Sequence, residues 1–342
     1  MYSKLILACL IASFSLSFPY YGDGGEKVAF SLLCFILLVS QLFKPLRKIN
    51  LLIPILFVGF ITWQCGQATE IYIRMSYVNL ILAVLAIVAV SERFDMSLKN
   101  LGLSVFLFIL SNSTLLMAQN LGFTHYLITD VYPTPTGFLQ FPWVMGVLGV
   151  LSIPLVWAFN PFGVIAALPM IFYSRSLICA AVALLSVLYL SMGGKSFLIL
   201  MGAGIVSMVL FLLFSDRDID VHRFAVWQKA ILHSKDQVMG NGLGTWAHKG
   251  FRREMGGSTM WWRWAHNEPY QVAFENGMVG FYLLAAYFVR LVRVNERRLK
   301  CFVMALGMLA SFHPVFHSGK LAVFLIVCIA VVECSKKMEV LA

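Results

Sequence analysis

Charged residues are scarce in this chain. They fill 12% of its 342 positions, against 60% for hydrophobic residues, and the mean hydropathy is +0.83. Soluble domains carry about twice that share of charge, because their surfaces face water. An ordinary soluble enzyme is therefore excluded, and apolar stretches of bilayer-spanning length recur from end to end. The seven cysteines, Cys9, Cys34, Cys65, Cys179, Cys301, Cys328 and Cys334, lie in or beside apolar segments without a CxxC pair. They read as small hydrophobes, with no disulfide framework or cysteine metal site. Nucleotide signatures are missing as well. The glycine-rich GNGLG at 240–244 has neither GxGxxG spacing nor a GK[ST] ending, which argues against a dinucleotide or ATP loop. No small-x-small site precedes Pro19, so the apolar run at 5–18 reads as an uncleaved first helix.

What the chain does contain is hydrophobic segments. Hydropathy places spans near 3–18, 27–43, 51–67, 71–90, 99–118, 137–158, 161–174, 176–191, 196–214, 277–291, 300–312 and 319–333, about twelve helices in all. The fold class expected is all-α: a polytopic transmembrane bundle with one large polar loop, 215–276, holding short amphipathic helices. Positive charge orients it. KPLRK (44–48), ERFDMSLK (92–99), Lys195, RLVRVNERRLK (290–300) and SKK (335–337) fall on one side, as cytoplasmic loops do. Both termini are then cytoplasmic and the 215–276 loop lies outside, in a bacterial periplasm. Most of the formal charge of +10 is this orientation signal and needs no nucleic-acid partner.

Residues suited to chemistry gather in and around the outer loop. Arg175 stands in SRS between two apolar segments, where an arginine either snorkels to lipid headgroups or binds a phosphate. From 221 to 232 apolar residues recur at helical spacing, and Arg223 and Trp227 share one face. Glycines 240, 242 and 244 permit a tight turn that approaches a neighbour or a ligand closely. In WWRWAHNEPYQ the tryptophans suit either an interfacial belt or stacking on sugars. His266 is a candidate general base, and Asn267 is a candidate cap for a helix starting near Glu268 and Pro269. His313, His317 and Lys320 fall in a short external turn. The histidine spacing resembles a metal pair, but Pro314 disturbs a helix there and no carboxylate or cysteine adjoins it, so a basic rim is expected and no metal.

Taken together these pieces resemble the O-antigen ligase and polymerase superfamily of bacterial envelope glycosyltransferases. The matching elements are SRS at 174–176, R...W..A from Arg223 to Ala230, GNGLG at 240–244, HN..YQ...ENGMVG from His266 to Gly280, and the late HPVFHSG. The likeness covers roughly 160–334, so the chain divides into N-terminal helices, 1–159, and a ligase- or polymerase-like region, 160–342. SRS stands where Ser-Arg-Gly is commoner in the family, and the outer loop is compact.

The resemblance implies an inner-membrane GT-C-type enzyme, inverting and metal-independent, that uses no cofactor. Its donor would be a polyprenyl-diphosphate-linked glycan, its acceptor another glycan or lipid A core, within membrane lipid. Arg175 and Arg223 would hold the diphosphate, since the planar guanidinium matches two phosphate oxygens. His266 would activate the acceptor hydroxyl or bind the diphosphate. Asn267, Trp227, Gly242, Trp264, Arg263, His313 and His317 are the residues expected to line the substrates. Two other readings compete: a transporter or flippase of lipid-linked glycans, which predicts ionisable groups near the bilayer midplane, and a protein O-oligosaccharyltransferase.

Overall fold

The computed structural model describes residues 97–123, 142–192, 226–230, 232, 237–242, 245–246, 251–255, 258–262, 265–315 and 319–341. The spans expected before residue 97 and at 196–214 lie outside these. In chain order the elements are α1 (Leu98–Asn120), α2 (Pro142–Phe159), a 3-10 helix (Pro161–Ala167), α3 (Leu168–Tyr173), α4 (Leu177–Ser191), strands β1 (Phe251–Met255) and β2 (Ser258–Trp262), α5 (Glu268–Val292), α6 (Arg297–Ala310) and α7 (Gly319–Leu341). The architecture is helical, and α1, α2 and α5 are each long and apolar enough to cross a membrane.

α2 forms the centre. It is apolar on every side, and every residue from Val144 to Val156 is buried, as befits a helix enclosed by others. α1, the 3-10 helix, α3, α4 and α6 pack around it. α1 is exposed on one side and packed on the other. Leu107, Leu110 and Met117 are exposed while Asn112, Ser113 and Gln119 point inward. Ser113 Oγ donates to the Ala166 carbonyl at 2.6 Å, a polar contact of the kind that joins helices where lipid offers no hydrophobic drive.

The segment expected as one span at 161–174 is instead divided. Asn160 caps a 3-10 helix begun by Pro161, and a single short α-helix follows. Together they extend about 23 Å, short of the roughly 30 Å hydrocarbon core. Pro169 lacks the amide that an α-helix through this region would use.

α4 and α6 run antiparallel. At one end Arg297 donates to the Tyr189 carbonyl and lies over the Tyr189 ring. Next along, Cys301 Sγ lies 3.8 Å from the Ser186 carbonyl, and beyond the far end of α6 His313 reaches Ser176. α5 turns back on α6 through the short connection 293–296, with Phe288 set over Gly307. The end of α6 therefore lies toward the same face as the beginning of α4. Between α5 and α7, Arg290 pairs with Glu333 at 2.8 Å.

The hairpin β1–β2 is an addition to the all-helical expectation. Its strands pair antiparallel, Phe251 opposite Trp262 and Met255 opposite Ser258. Gly256 and Gly257 stand between them in the sequence, a glycine pair of the sort that marks tight hairpins.

Candidate active site

Two groups of residues meet the candidates. The first surrounds the turn between α3 and α4. Ser174 Oγ donates to the Ile171 carbonyl at 2.6 Å and accepts the Ser176 amide at 3.3 Å. Ser176 Oγ caps α4 by accepting the Cys179 amide at 3.2 Å. Arg175, between the two serines, takes φ 53° and is exposed. The turn rests directly on α2, where a Cβ on Gly146 would lie 2.6 Å from Ser174 Cβ. Only a glycine lets the two backbones approach this closely.

His313 underpins the same turn. Its amide donates to the Leu309 carbonyl at 2.8 Å, closing the end of α6. Its Nε2 lies 3.3 Å from Ser176 Oγ and 3.8 Å from Cys179 Sγ, and its ring runs nearly parallel to that of Trp143. The side chain is buried, which differs from the external basic rim expected. The reason is visible in the chain. Pro314 ends the helical path, and the turn at 311–315 folds the imidazole under α4 instead of out to solvent. SRS and HPV, distant in sequence, thus form one piece of structure.

The second group surrounds the start of α5. Asn267 is its N-cap, with Oδ1 accepting the Tyr270 amide at 2.9 Å, and Pro269 occupies the first turn. His266, just before the cap, has φ 54° and is half-buried. A small apolar cluster of Val226, Ala230, Trp246, Ala265 and Phe274, with Trp227 and Tyr270 against it, backs this corner. Trp227 Nε1 donates to the Ala265 carbonyl at 2.7 Å, and the Tyr270 hydroxyl donates to the Trp227 carbonyl at 2.5 Å. The described part of the expected amphipathic helix, 226–230, is helical and lends its apolar side to this cluster.

α5 breaks at Gly277, whose φ of 65° and ψ of −172° are not helical. A break orphans amides and carbonyls, and here the segment 237–242 satisfies them. The Asn241 and Gly242 amides donate to the Phe274 and Glu275 carbonyls at 3.1 and 2.7 Å. In the opposite sense, the Met278 and Val279 amides donate to the Gln237 and Val238 carbonyls at 3.0 and 3.3 Å. The close neighbour expected of the GNGLG glycines is therefore the ENG of α5. Gly240 and Gly242 both have positive φ, 82° and 96°.

The predicted site residues fall out as follows. Arg175 and His313 belong to the first group; His266, Asn267, Trp227 and Gly242 belong to the second. Arg223, Arg263, Trp264 and His317 lie outside the described residues. Sequence reasoning assigned no role to Glu268, Gln271 and Glu275, which are all buried on the N-terminal half of α5. Their spacing of three and then four residues was the available signal, since it sets three polar groups on one helix face. Compared with known protein families the chain matches none, and no curated protein matches it.

Proposed function

We propose that this chain is a membrane glycosyltransferase of the bacterial cytoplasmic membrane. It moves a glycan from a polyprenyl-diphosphate donor to an acceptor on the periplasmic face, as an O-antigen polymerase or ligase. One observation carries the reading. Among the described residues, Arg175 and His266 are the only non-glycine positions with positive φ, and both were singled out for chemistry from the sequence. An L-residue in that conformation costs about 1–2 kcal/mol. Such positions concentrate where function needs a side chain that local preference would not place there.

An exposed guanidinium and a half-buried imidazole suit the reaction. The acceptor hydroxyl attacks the anomeric carbon as its proton passes to His266. The bond from sugar to diphosphate breaks, its electron pair leaves on the diphosphate, and Arg175 offsets the added charge. Attack opposite the leaving group inverts the anomeric centre. The compact outer loop, part of it a two-stranded hairpin, favours a glycan acceptor and hence a polymerase.

The test is transfer by the purified protein in liposomes, given a lipid-diphosphate-linked repeat unit with and without lipid A core. A ladder from donor alone identifies a polymerase; a single addition that requires lipid A core identifies a ligase. Donor moving between leaflets without product would replace this reading by transport.

A further inference from the structure

We infer that Gln271 and Glu275 are positioning residues that hold His266 in its left-handed backbone conformation. The activity consequences of this rest on the transferase reading; the structural consequence does not.

A backbone at φ 54° persists only where its surroundings over-determine it. Both neighbours of His266 are held. The Ala265 amide donates to Gln271 Oε1 at 2.9 Å, while its carbonyl accepts Trp227 Nε1. On the other side, Asn267 Oδ1 accepts the Tyr270 amide, and the Asn267 carbonyl accepts the Gln271 amide at 2.9 Å. Gln271 thus reaches both flanks, by its side chain to residue 265 and by its backbone to residue 267.

Glu275 fixes Gln271 in turn. Gln271 Nε2 donates to Glu275 Oε1 at 3.3 Å, and the same oxygen accepts the Trp246 amide at 3.1 Å. Gln271 is 3% exposed and Glu275 2%. Burying a carboxylate and an amide is unfavourable unless each is hydrogen-bonded. Here the bonds run in one sequence, from Trp246 through Glu275 and Gln271 to Ala265, and end beside His266. Trp246 follows the glycine segment that fills the break in α5. The imidazole's placement is therefore tied to the docking of that segment.

The experiment reads His266 directly. Full-length protein is treated with diethylpyrocarbonate, and the modification rate of each histidine is followed by peptide mass spectrometry, with His313 as a control for folding. Gln271→Ala should change the His266 rate severalfold and leave His313 as in the parent. Gln271→Glu keeps an acceptor for the Ala265 amide but replaces the donor to Glu275 with a second buried carboxylate, so it should change the His266 rate as Gln271→Ala does. Glu275→Gln keeps an acceptor for the Trp246 amide and should give an intermediate change. In the liposome assay, Gln271→Ala should lower kcat by about 10- to 100-fold with the donor KM within about twofold.

Unchanged His266 reactivity in well-folded Gln271→Ala and Glu275→Gln overturns the inference. So does failure of both to fold, because the pair would then serve the fold as a whole. Altered reactivity in a parent protein that transfers nothing leaves positioning standing and removes the transferase reading. Altered reactivity with parent-like kcat in the variants of an active parent leaves positioning standing and removes His266 from the transfer step.

Discussion

Gly240 and Gly277 meet so closely that a side chain on either would enter the other segment's backbone. A Cβ on Gly277 would run into the Val238 carbonyl, and one on Gly240 into the amide of Gly277. Both also have positive φ. Gly277→Ala and Gly240→Ala should therefore be strongly destabilising. Gly122 supplies the control, because its φ is 75° but nothing lies within 4 Å of its missing Cβ. Gly122→Ala should cost only the backbone term, about 1 kcal/mol, with the other two well above it. Denaturation midpoints of the three full-length variants in one detergent decide this. Equal losses would mean that the two segments do not dock.

The left-handed backbone at Arg175 separates stability from activity. Glycine accepts φ 53° without steric cost, whereas alanine does not. Arg175→Gly should be about 1 kcal/mol more stable than Arg175→Ala. Both should lose roughly 100-fold in transfer, since each lacks the cation. The same contrast is expected between His266→Gly and His266→Ala. Thermal midpoints set beside single-turnover rates check it, and alanine variants as stable as the glycine ones would remove the strain argument.

The contact of Ser176 with His313 is tested by a double-mutant cycle. Ser176→Ala removes both the α4 cap and a partner of the imidazole, at an expected cost of about 1–2 kcal/mol. His313→Ala should cost about 2–3 kcal/mol, because it leaves a buried gap under the turn. The pair should be non-additive by about 0.5–1 kcal/mol. Full additivity would mean that the two side chains act independently.

Arg290 and Glu333 bind α5 to α7 through one partly buried ion pair, with 27% and 8% of the two side chains exposed. Glu333→Gln or Arg290→Gln should cost about 2 kcal/mol, between the values for exposed and fully buried pairs. The doubly substituted protein should recover part of that loss. Chemical denaturation of the four proteins gives the coupling, and transfer activity should be retained in each, as neither residue lies near the candidate site.

Hydropathy and local signals were legible in the linear chain. Spans expected at 99–118, 137–158, 176–191, 300–312 and 319–333 correspond to described helices, because a window of apolar residues is a local property. Asn267 as a cap followed from its place before Glu268 and Pro269, again within one turn. The hairpin had a local signal too, Gly256-Gly257 between two short runs, but tryptophans before a helix suggested a membrane belt instead.

By itself, then, the sequence determined a helical chain with segments apolar enough to cross a membrane, the approximate helix positions, and a set of polar motifs along the region after residue 160. Which motifs touch was decided only by the tertiary structure. GNGLG meets ENG because the break at Gly277 exposes backbone groups that need partners. SRS meets HPV because α4 and α6 run antiparallel, which brings the start of one helix to the end of the other. Gln271 and Glu275 acquire a role only there, since one links a distant amide to the other and both lead back to His266. Such contacts depend on how separated segments pack, and no periodicity within a single segment encodes them.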